Sequence, residues 1–183
     1  MTRNYAAGIL PITYVDGVPM FLVGEDVRDG SYSDFGGKNE RYDRNVIATA
    51  CREFYEESLG CVLDMKQTRA RLNPATAIMF RGRTQNANTY YMFLVEIPYM
   101  PHLRNVFHKM LGFFRAKNIQ RMYVEKTDVK WVTLPMLKHM IKRTVFANTI
   151  NLHAEAIDEI GSSTPSQWKD LCKKYATGWE CVM

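Results

Sequence analysis

The spacing of hydrophobic and polar residues predicts a mixed α/β protein that begins with a β-hairpin. Residues 6–15 and 18–24 are apolar runs, and the Asp16-Gly17 pair between them is typical of a tight turn that joins antiparallel strands. The polar stretch 25–35 is predicted to be a loop. Further strands are predicted at 69–81, 88–97 and 128–133.

Apolar residues at helical spacing predict a central helix with one buried face. Its stripe has the i, i+3, i+4, i+7 pattern and consists of Ile47, Ala50, Cys51 and Phe54. Asp43 or Asn45 is expected to cap the N-terminus of this helix, and Gly60 is expected to end it. Later helices are predicted at 102–117, 134–142, 146–160 and 165–175.

A second face of the central helix is acidic. Because each helical residue turns by about 100°, Glu53, Glu56 and Glu57 fall within one arc of roughly 100°. Carboxylates this close repel one another, and a bound divalent cation would remove the repulsion. Such oxygen ligands suit Mg²⁺, Mn²⁺ or Ca²⁺. The alternative is a solvated acidic face on a surface helix.

Composition places the chain among ordinary globular proteins. Its 183 residues are 46% hydrophobic and 23% charged, which suits a single domain over 1–183 with a sizeable core. The sequence has no apolar run of about 18 residues and no signal-like N-terminus, so no membrane association is expected. The four cysteines show no paired spacing, and a reduced, cytoplasmic protein is the simplest interpretation.

Positive charge is concentrated in the second half of the chain. Residues 100–150 contain ten lysines and arginines but only two acidic residues, within a net charge of +5 for the whole chain. This basic block, residues 100–150, indicates a polyanionic ligand such as nucleic acid. A packed helix whose solvated side happens to be basic explains the part at 102–117 equally well.

The stretch GGKNERYDRNVIATACREFYEESLG, residues 36–60, resembles the Nudix hydrolase signature G-x5-E-x7-R-E-U-x-E-E-x-G-U, where U is bulky and aliphatic. The matching residues are Gly37, Arg52, Glu53, Phe54, Glu56 and Glu57. Two positions depart from the signature. Asp43 replaces the first glutamate with one extra residue before Arg52, and Leu59 stands where the second glycine belongs.

The resemblance implies a Nudix-type α/β/α sandwich, with a mixed sheet flanked by helices and a catalytic loop–helix–loop. It also implies Mg²⁺, for which Mn²⁺ may substitute, bound by Glu53, Glu56 and Glu57 with the backbone of Gly37 close to the metal. Arg52 would hold a helix carboxylate in its working rotamer. The general base is either a helix glutamate or one from a distant loop, for which Glu125 is the candidate.

Residues outside the signature would bind the substrate. Tyr32 and Phe35 could stack on a nucleobase, although strand aromatics more often belong to the core, and Lys38 follows the glycine pair. Arg81 and Arg83 flank a glycine and could clamp phosphate, or they are ordinary surface charges.

The implied activity is hydrolysis of a phosphoanhydride bond in a nucleoside diphosphate linked to another group. A nucleotide, an RNA 5′ end such as capped RNA (with mRNA decapping as one possible role) and a diphosphoinositol polyphosphate all qualify as substrates. Two alternatives remain: a catalytically silent binding or sensor module on the same scaffold, and an RNA-binding protein that uses the basic block.

Overall fold

A computed structural model describes residues 4–119 and 124–182 of the chain. A mixed β-sheet lies between two layers of helices. Its strands are β1 (Tyr5–Val15), β2 (Val18–Asp26), β3 (Tyr32–Ser33), β4 (Phe35–Lys38), β5 (Ala77–Arg83), β6 (Thr89–Glu96) and β7 (Lys126–Val132). The helices are α1 (Val46–Glu57), α2 (Met65–Arg71), α3 (Leu103–Ala116), α4 (Leu134–His139), α5 (Thr144–Leu152), α6 (Ala154–Gly161) and α7 (Trp168–Lys174).

The long strand β1 organises the sheet. The strand order is β3-β2-β1-β6-β5, with β4 paired to β1 and β7 paired to β2. β1 runs parallel to β6, while the other pairs are antiparallel. The first half of β1 pairs with β4 and the second half with β2, so Gly36 and Gly37 lie opposite Gly8 and Ala7.

The two faces of the sheet carry separate hydrophobic cores. Ala7 and Ile9 of β1 face the core that includes residues of α1 and α3, whereas Leu10 and Ile12 face the core that includes residues of α4 to α7. This alternation is the period-2 pattern of a strand buried on both faces. The predicted α/β/α sandwich is therefore confirmed.

The hairpin at Asp16-Gly17 is also confirmed. Both residues have positive φ, 50° and 80°, as a type I′ turn requires. β1 and β2 pair through Val15 and Val18 on either side of that turn.

Three predicted boundaries were wrong. Residues 65–71 form helix α2 rather than the start of a strand, because Asp64 and Gln67 make a capping box. The polar stretch 25–35 holds the end of β2 and all of β3. The predicted helix at 146–160 is broken at His153, which ends α5 and precedes α6.

No helix among the described residues is long and apolar enough to cross a bilayer. All four cysteines are free thiols.

Candidate functional site

Helix α1 carries the acidic residues and is fixed by its opposite face. Asn45 caps its N-terminus, since its side chain accepts a hydrogen bond from the backbone N–H of Ala48. Phe54, fully buried, packs edge-to-face on Phe35 of β4 at 5.4 Å between ring centroids. This packing sets the last turn of α1 beside the glycines of β4.

Arg52 joins the helix to the loop before it. Its Nη1 donates to Glu53 at 2.8 Å and to Glu56 at 3.0 Å, while its Nη2 donates to the Lys38 carbonyl at 2.9 Å. Nε and Nη2 also donate to the two carboxylate oxygens of Asp43, at 3.2 and 2.9 Å. Asp43, which departs from the Nudix signature, therefore pairs with the signature arginine.

Glu57 is the most buried of the three glutamates. Its Oε2 accepts a hydrogen bond of 2.7 Å from the backbone N–H of Gly36. Its Oε1 is buried without a hydrogen bond and lies 3.5 Å from the ammonium of Lys126. Burial raises the pKa of Glu57 to about 8, although the Lys126 charge opposes the shift.

Glu53 lies directly against the second glycine of β4. A Cβ added at Gly37 would be 2.6 Å from Glu53 Oε1, so a side chain at this position would displace the carboxylate. Burial raises the pKa of Glu53 to about 7, and the neighbouring Glu56 and Glu125 charges act in the same direction. Glycine at position 37 therefore allows the Glu53 carboxylate to lie directly against the backbone of β4.

These residues fit a hard divalent cation. The donors are carboxylate and carbonyl oxygens, and Glu57 Oε1 is available without breaking a hydrogen bond. Within 4–119 and 124–182, no group of three or more histidine, cysteine, aspartate or glutamate side chains is already spaced to hold a metal. The reason is visible in the contacts, since Arg52 binds Glu53 and Glu56 while Glu57 Oε1 faces Lys126.

A cleft of about 820 Å³ opens beside the acidic turn. Glu53, Gly36 and Gly37 form part of one wall, and Glu125, which is exposed, also lines the cleft. Other lining residues come from the β2–β3 turn, the β5–β6 turn and the start of α5, including Arg28, Asp29, Ser31, Asn86, Asn88, Arg143 and Thr144. The cleft has room for a nucleotide-sized ligand.

The predicted substrate residues divide between the cleft and other parts of the molecule. Lys38 lines the cleft. Phe35 is fully buried against Phe54, so its predicted contact with a nucleobase is wrong: no ring face is accessible. The ring of Tyr32 lies outside the cleft and is covered by the Lys130 ammonium at 3.8 Å.

The two predicted phosphate clamps do not line the cleft either. Arg81 donates to the Gly178 carbonyl at 2.9 Å and lies over the Tyr91 ring. Arg83 is exposed at the end of β5, and the cleft wall begins with the next residue, Thr84. Phosphate binding by these two arginines stays a prediction.

Asp34 gave no signal in the sequence, whereas Tyr90 was among the strand aromatics predicted either to stack on a nucleobase or to belong to the core. The Tyr90 hydroxyl donates to Asp34 at 2.5 Å, and both side chains are buried on the floor of the cleft. Burial raises the pKa of Asp34 to about 6. Lys126 and Arg143 also went unnoticed, because a lysine at a strand start and an arginine before a helix are common surface residues.

Several positive charges of the basic block have local partners, and Arg121 lies outside the described residues. Arg104 pairs with Asp128, Lys138 pairs with Asp158 and Lys142 donates to backbone carbonyls at the end of α4. Lys126 is buried beside Glu57. Three charges of the block, those of Arg104, Lys126 and Lys138, therefore lie beside a carboxylate.

No family model and no curated protein sequence matches the chain. Solved structures do match. The NUDIX domain of Shewanella oneidensis NrtR, complexed with ADP ribose, is 15% identical, with a TM-score of 0.52 and coverage of 87% of this chain and 90% of that chain. A NUDIX hydrolase from Nitrosomonas europaea is 11% identical, with a TM-score of 0.51 and coverage of 87% and 74%.

A third match is the Ap4A hydrolase of C. elegans in a binary complex. It is 12% identical, with a TM-score of 0.50 and coverage of 85% of this chain and 98% of that chain. The chain has the Nudix fold, and the resemblance seen at residues 36–60 is confirmed at that level.

Proposed function

We propose that this protein is a metal-dependent pyrophosphohydrolase that cleaves a phosphoanhydride bond in a nucleoside diphosphate linked to another group. The observation that carries the proposal is Glu57 Oε1, a buried carboxylate oxygen without a hydrogen bond, placed beside the Gly36-Gly37 backbone and Glu53. The charged neighbour of this oxygen is the Lys126 ammonium at 3.5 Å, and a metal ion could join the oxygen without displacing a hydrogen bond.

Each residue of the acidic turn has a role in the proposal. Glu53, Glu56 and Glu57, with the Gly37 backbone, would hold Mg²⁺ or Mn²⁺. When bound, the metal offsets charge on the phosphate oxygens and lowers the pKa of the attacking water. Arg52 keeps Glu53 and Glu56 in fixed rotamers, and Glu125 is the candidate general base from its place in the cleft.

The substrate is proposed from the cleft and from the ligands named for the matching structures. The cleft holds a nucleotide-sized group, and its free cations include Lys38 and Arg143, neither of which makes a side-chain ion pair among the described residues. ADP ribose and Ap4A, named for two matching structures, both contain linked nucleoside phosphates. Capped RNA and diphosphoinositol polyphosphates remain candidate substrates because they are highly anionic and residues 100–150 are basic.

A substrate panel with product identification tests the activity. It spans nucleoside triphosphates, dinucleoside polyphosphates, nucleotide sugars, capped RNA and diphosphoinositols, each with Mg²⁺ or with EDTA. We expect Mg²⁺-dependent phosphate products from at least one class, and we expect Glu56→Gln to reduce their release by about 10²-fold or more. Glu155→Gln, at an exposed position of α6, is the matched control. Full activity of Glu56→Gln would overturn the assigned mechanism.

The silent binding module is the second candidate. The observation that favours it is the ion pairing of the Arg52 guanidinium with Glu53 and Glu56, two of the proposed metal ligands. In that case the wild-type protein binds a nucleotide ligand without turnover and without Mn²⁺ uptake at α1. Calorimetric titration with MnCl₂ separates the two, because the hydrolase requires binding of the metal.

RNA binding through the basic block is a separate activity with a separate test. An electrostatic RNA complex weakens steeply as salt rises. Affinity that is absent, or that does not change between 50 and 200 mM salt, would remove this candidate.

A further inference from the structure

Lys126 is a fully buried lysine with no role in the mechanism above. It begins β7, and only 1% of its surface is exposed. Its ammonium donates to Ser33 Oγ at 2.7 Å and lies 3.5 Å from Glu57 Oε1. A buried ammonium is unfavourable unless nearby anions compensate it, so the surrounding charges must explain its position.

The fold makes room for this lysine. Gly24 of β2 lies beside its stem, where an added Cβ would be 2.9, 3.1 and 3.2 Å from Cδ, Cγ and Cε of Lys126. Any other residue at Gly24 would push the stem and move the ammonium. Glycine at position 24 therefore leaves the space that the Lys126 stem occupies.

Three buried carboxyl groups lie within reach of the ammonium charge. They are Asp26, Asp34 and Glu57, and the Lys126 charge lowers the pKa of each. Asp26 is neutralised by Arg28 and Asp34 accepts from Tyr90, but Glu57 Oε1 has no hydrogen bond. Glu57 is thus the group that depends most on the lysine.

We propose that Lys126 is a positioning residue that acts through Glu57 as its counter-ion: it stabilises the site without metal and limits how tightly a metal binds. This inference rests on the proposed metal site. An ammonium has no lone pair and cannot itself ligate a metal. A divalent cation on Glu57 would lie within a few ångströms of it, and repulsion at that distance weakens metal binding on the order of tenfold or more.

Lys126→Met tests the limit on metal affinity, because methionine keeps the length of the stem and removes the charge. We expect Mn²⁺ to bind Lys126→Met about tenfold more tightly than the wild type by calorimetry. The melting temperature in EDTA should fall, and saturating Mn²⁺ should raise it by more than it raises the wild type. Unchanged or weaker Mn²⁺ binding would overturn the proposal.

Lys130→Met is the matched control, since Lys130 lies on the same strand over the Tyr32 ring and outside the cleft. Its Mn²⁺ affinity should equal that of the wild type. An equal gain in both variants would show a general charge effect and would also overturn the proposal.

A metal-free double-mutant cycle covers the case in which Lys126→Met folds poorly or the wild type binds no metal. Glu57→Gln combined with Lys126→Met removes both charges, so in EDTA it should be more stable than Lys126→Met alone. If the double variant is no more stable, Lys126 is not the counter-ion of Glu57. If the double variant is more stable than Lys126→Met but the wild type binds no Mn²⁺, Lys126 is the counter-ion of Glu57 and the metal site of the proposed function is wrong.

Discussion

At the scale of single residues, two buried cationic side chains pair with different glutamates of the acidic turn. Arg52 pairs with Glu53 and Glu56, and Lys126 lies 3.5 Å from Glu57 Oε1. The arginine was predictable, because its spacing from Glu56 and its place in the signature both indicated an ion pair. The lysine was not, because nothing local in the sequence distinguishes a buried strand lysine from an exposed one.

The first prediction concerns Arg52→Gln. Removing the guanidinium leaves Asp43, Glu53 and Glu56 without their shared partner, and breaking such a buried pair costs about 3–5 kcal/mol of unfolding free energy. Displaced carboxylates should also lower hydrolysis on the order of 10²-fold. Urea unfolding and steady-state kinetics measure the two effects.

Arg44→Gln is the control for that prediction, because Arg44 is exposed in the same loop and makes no ion pair among the described residues. It should change stability by less than about 0.5 kcal/mol. Equal effects of the two variants would show that the network around Arg52 contributes little.

At the scale of elements, the exit of α1 shows how a departure from the signature is accommodated. Leu59, which stands in place of a glycine, has φ of 55°, and Gly60 follows with φ of 65°. The left-handed turn is thus kept without glycine at its first position. Leu59 is also 94% buried, so its packing compensates the strained backbone.

The second prediction compares two substitutions at Leu59. Both Leu59→Ala and Leu59→Gly lose the buried side chain and should be destabilised by about 2–5 kcal/mol. Leu59→Gly should nevertheless be more stable than Leu59→Ala by about 1 kcal/mol, because only glycine adopts positive φ without strain. Ala48 inside α1 is the matched site, where Ala48→Gly should instead lose about 1 kcal/mol. If the alanine form were more stable than the glycine form at both positions, the backbone at Leu59 would not be strained.

The third prediction uses pH at the end of β2. Hydrogen bonds from Arg28 lower the pKa of buried Asp26 to about 2, although burial opposes the shift. A lowered folded-state pKa stabilises the protein above the unfolded value, near 3.8, and this stabilisation is lost as pH falls toward 2. Because Arg28 is largely exposed, we expect about 1–2 kcal/mol at pH 7 and about half of it at pH 3.

Asp26→Asn provides the measurement. The difference in unfolding free energy between wild type and variant, from urea titrations at pH 7, 5 and 3, should shrink toward the acidic end. A difference that stays constant across these pH values would mean that the ionised carboxylate does not stabilise the fold.

The elements that were predicted correctly are those with local signals. The hairpin, α1 and β6 each follow from a turn pair, a cap or a run of strand-forming residues. Helix α2 was not predicted, although Asp64 and Gln67 carry the local signal of a capping box. The cleft could not be predicted, because β4, the β5–β6 turn and the start of α5, which line it, are far apart in the sequence and meet only in the folded chain.

At the scale of the whole molecule, the C-terminal segment connects the two hydrophobic cores. Trp168 and Leu171 of α7 lie in the core with α4 to α6, whereas Trp179 lies in the core with α1 and α3. The chain passes the β5 edge between them, where Gly178 has φ of 86° and its carbonyl accepts from Arg81. Arg81 therefore has a structural contact at this crossing.

The last prediction concerns that crossing. Trp179 is 2% exposed and packs on Phe93 at 5.4 Å between ring centroids, so Trp179→Ala should cost about 3–5 kcal/mol of unfolding free energy. Trp179→Phe should lose less than half as much unfolding free energy as Trp179→Ala, because an aromatic ring still contacts Phe93. Glu180→Ala, exposed on the next residue, should behave as the wild type in the same urea titrations. A Trp179→Ala variant within about 1 kcal/mol of the wild type would show that the two cores are stable without the segment that connects them.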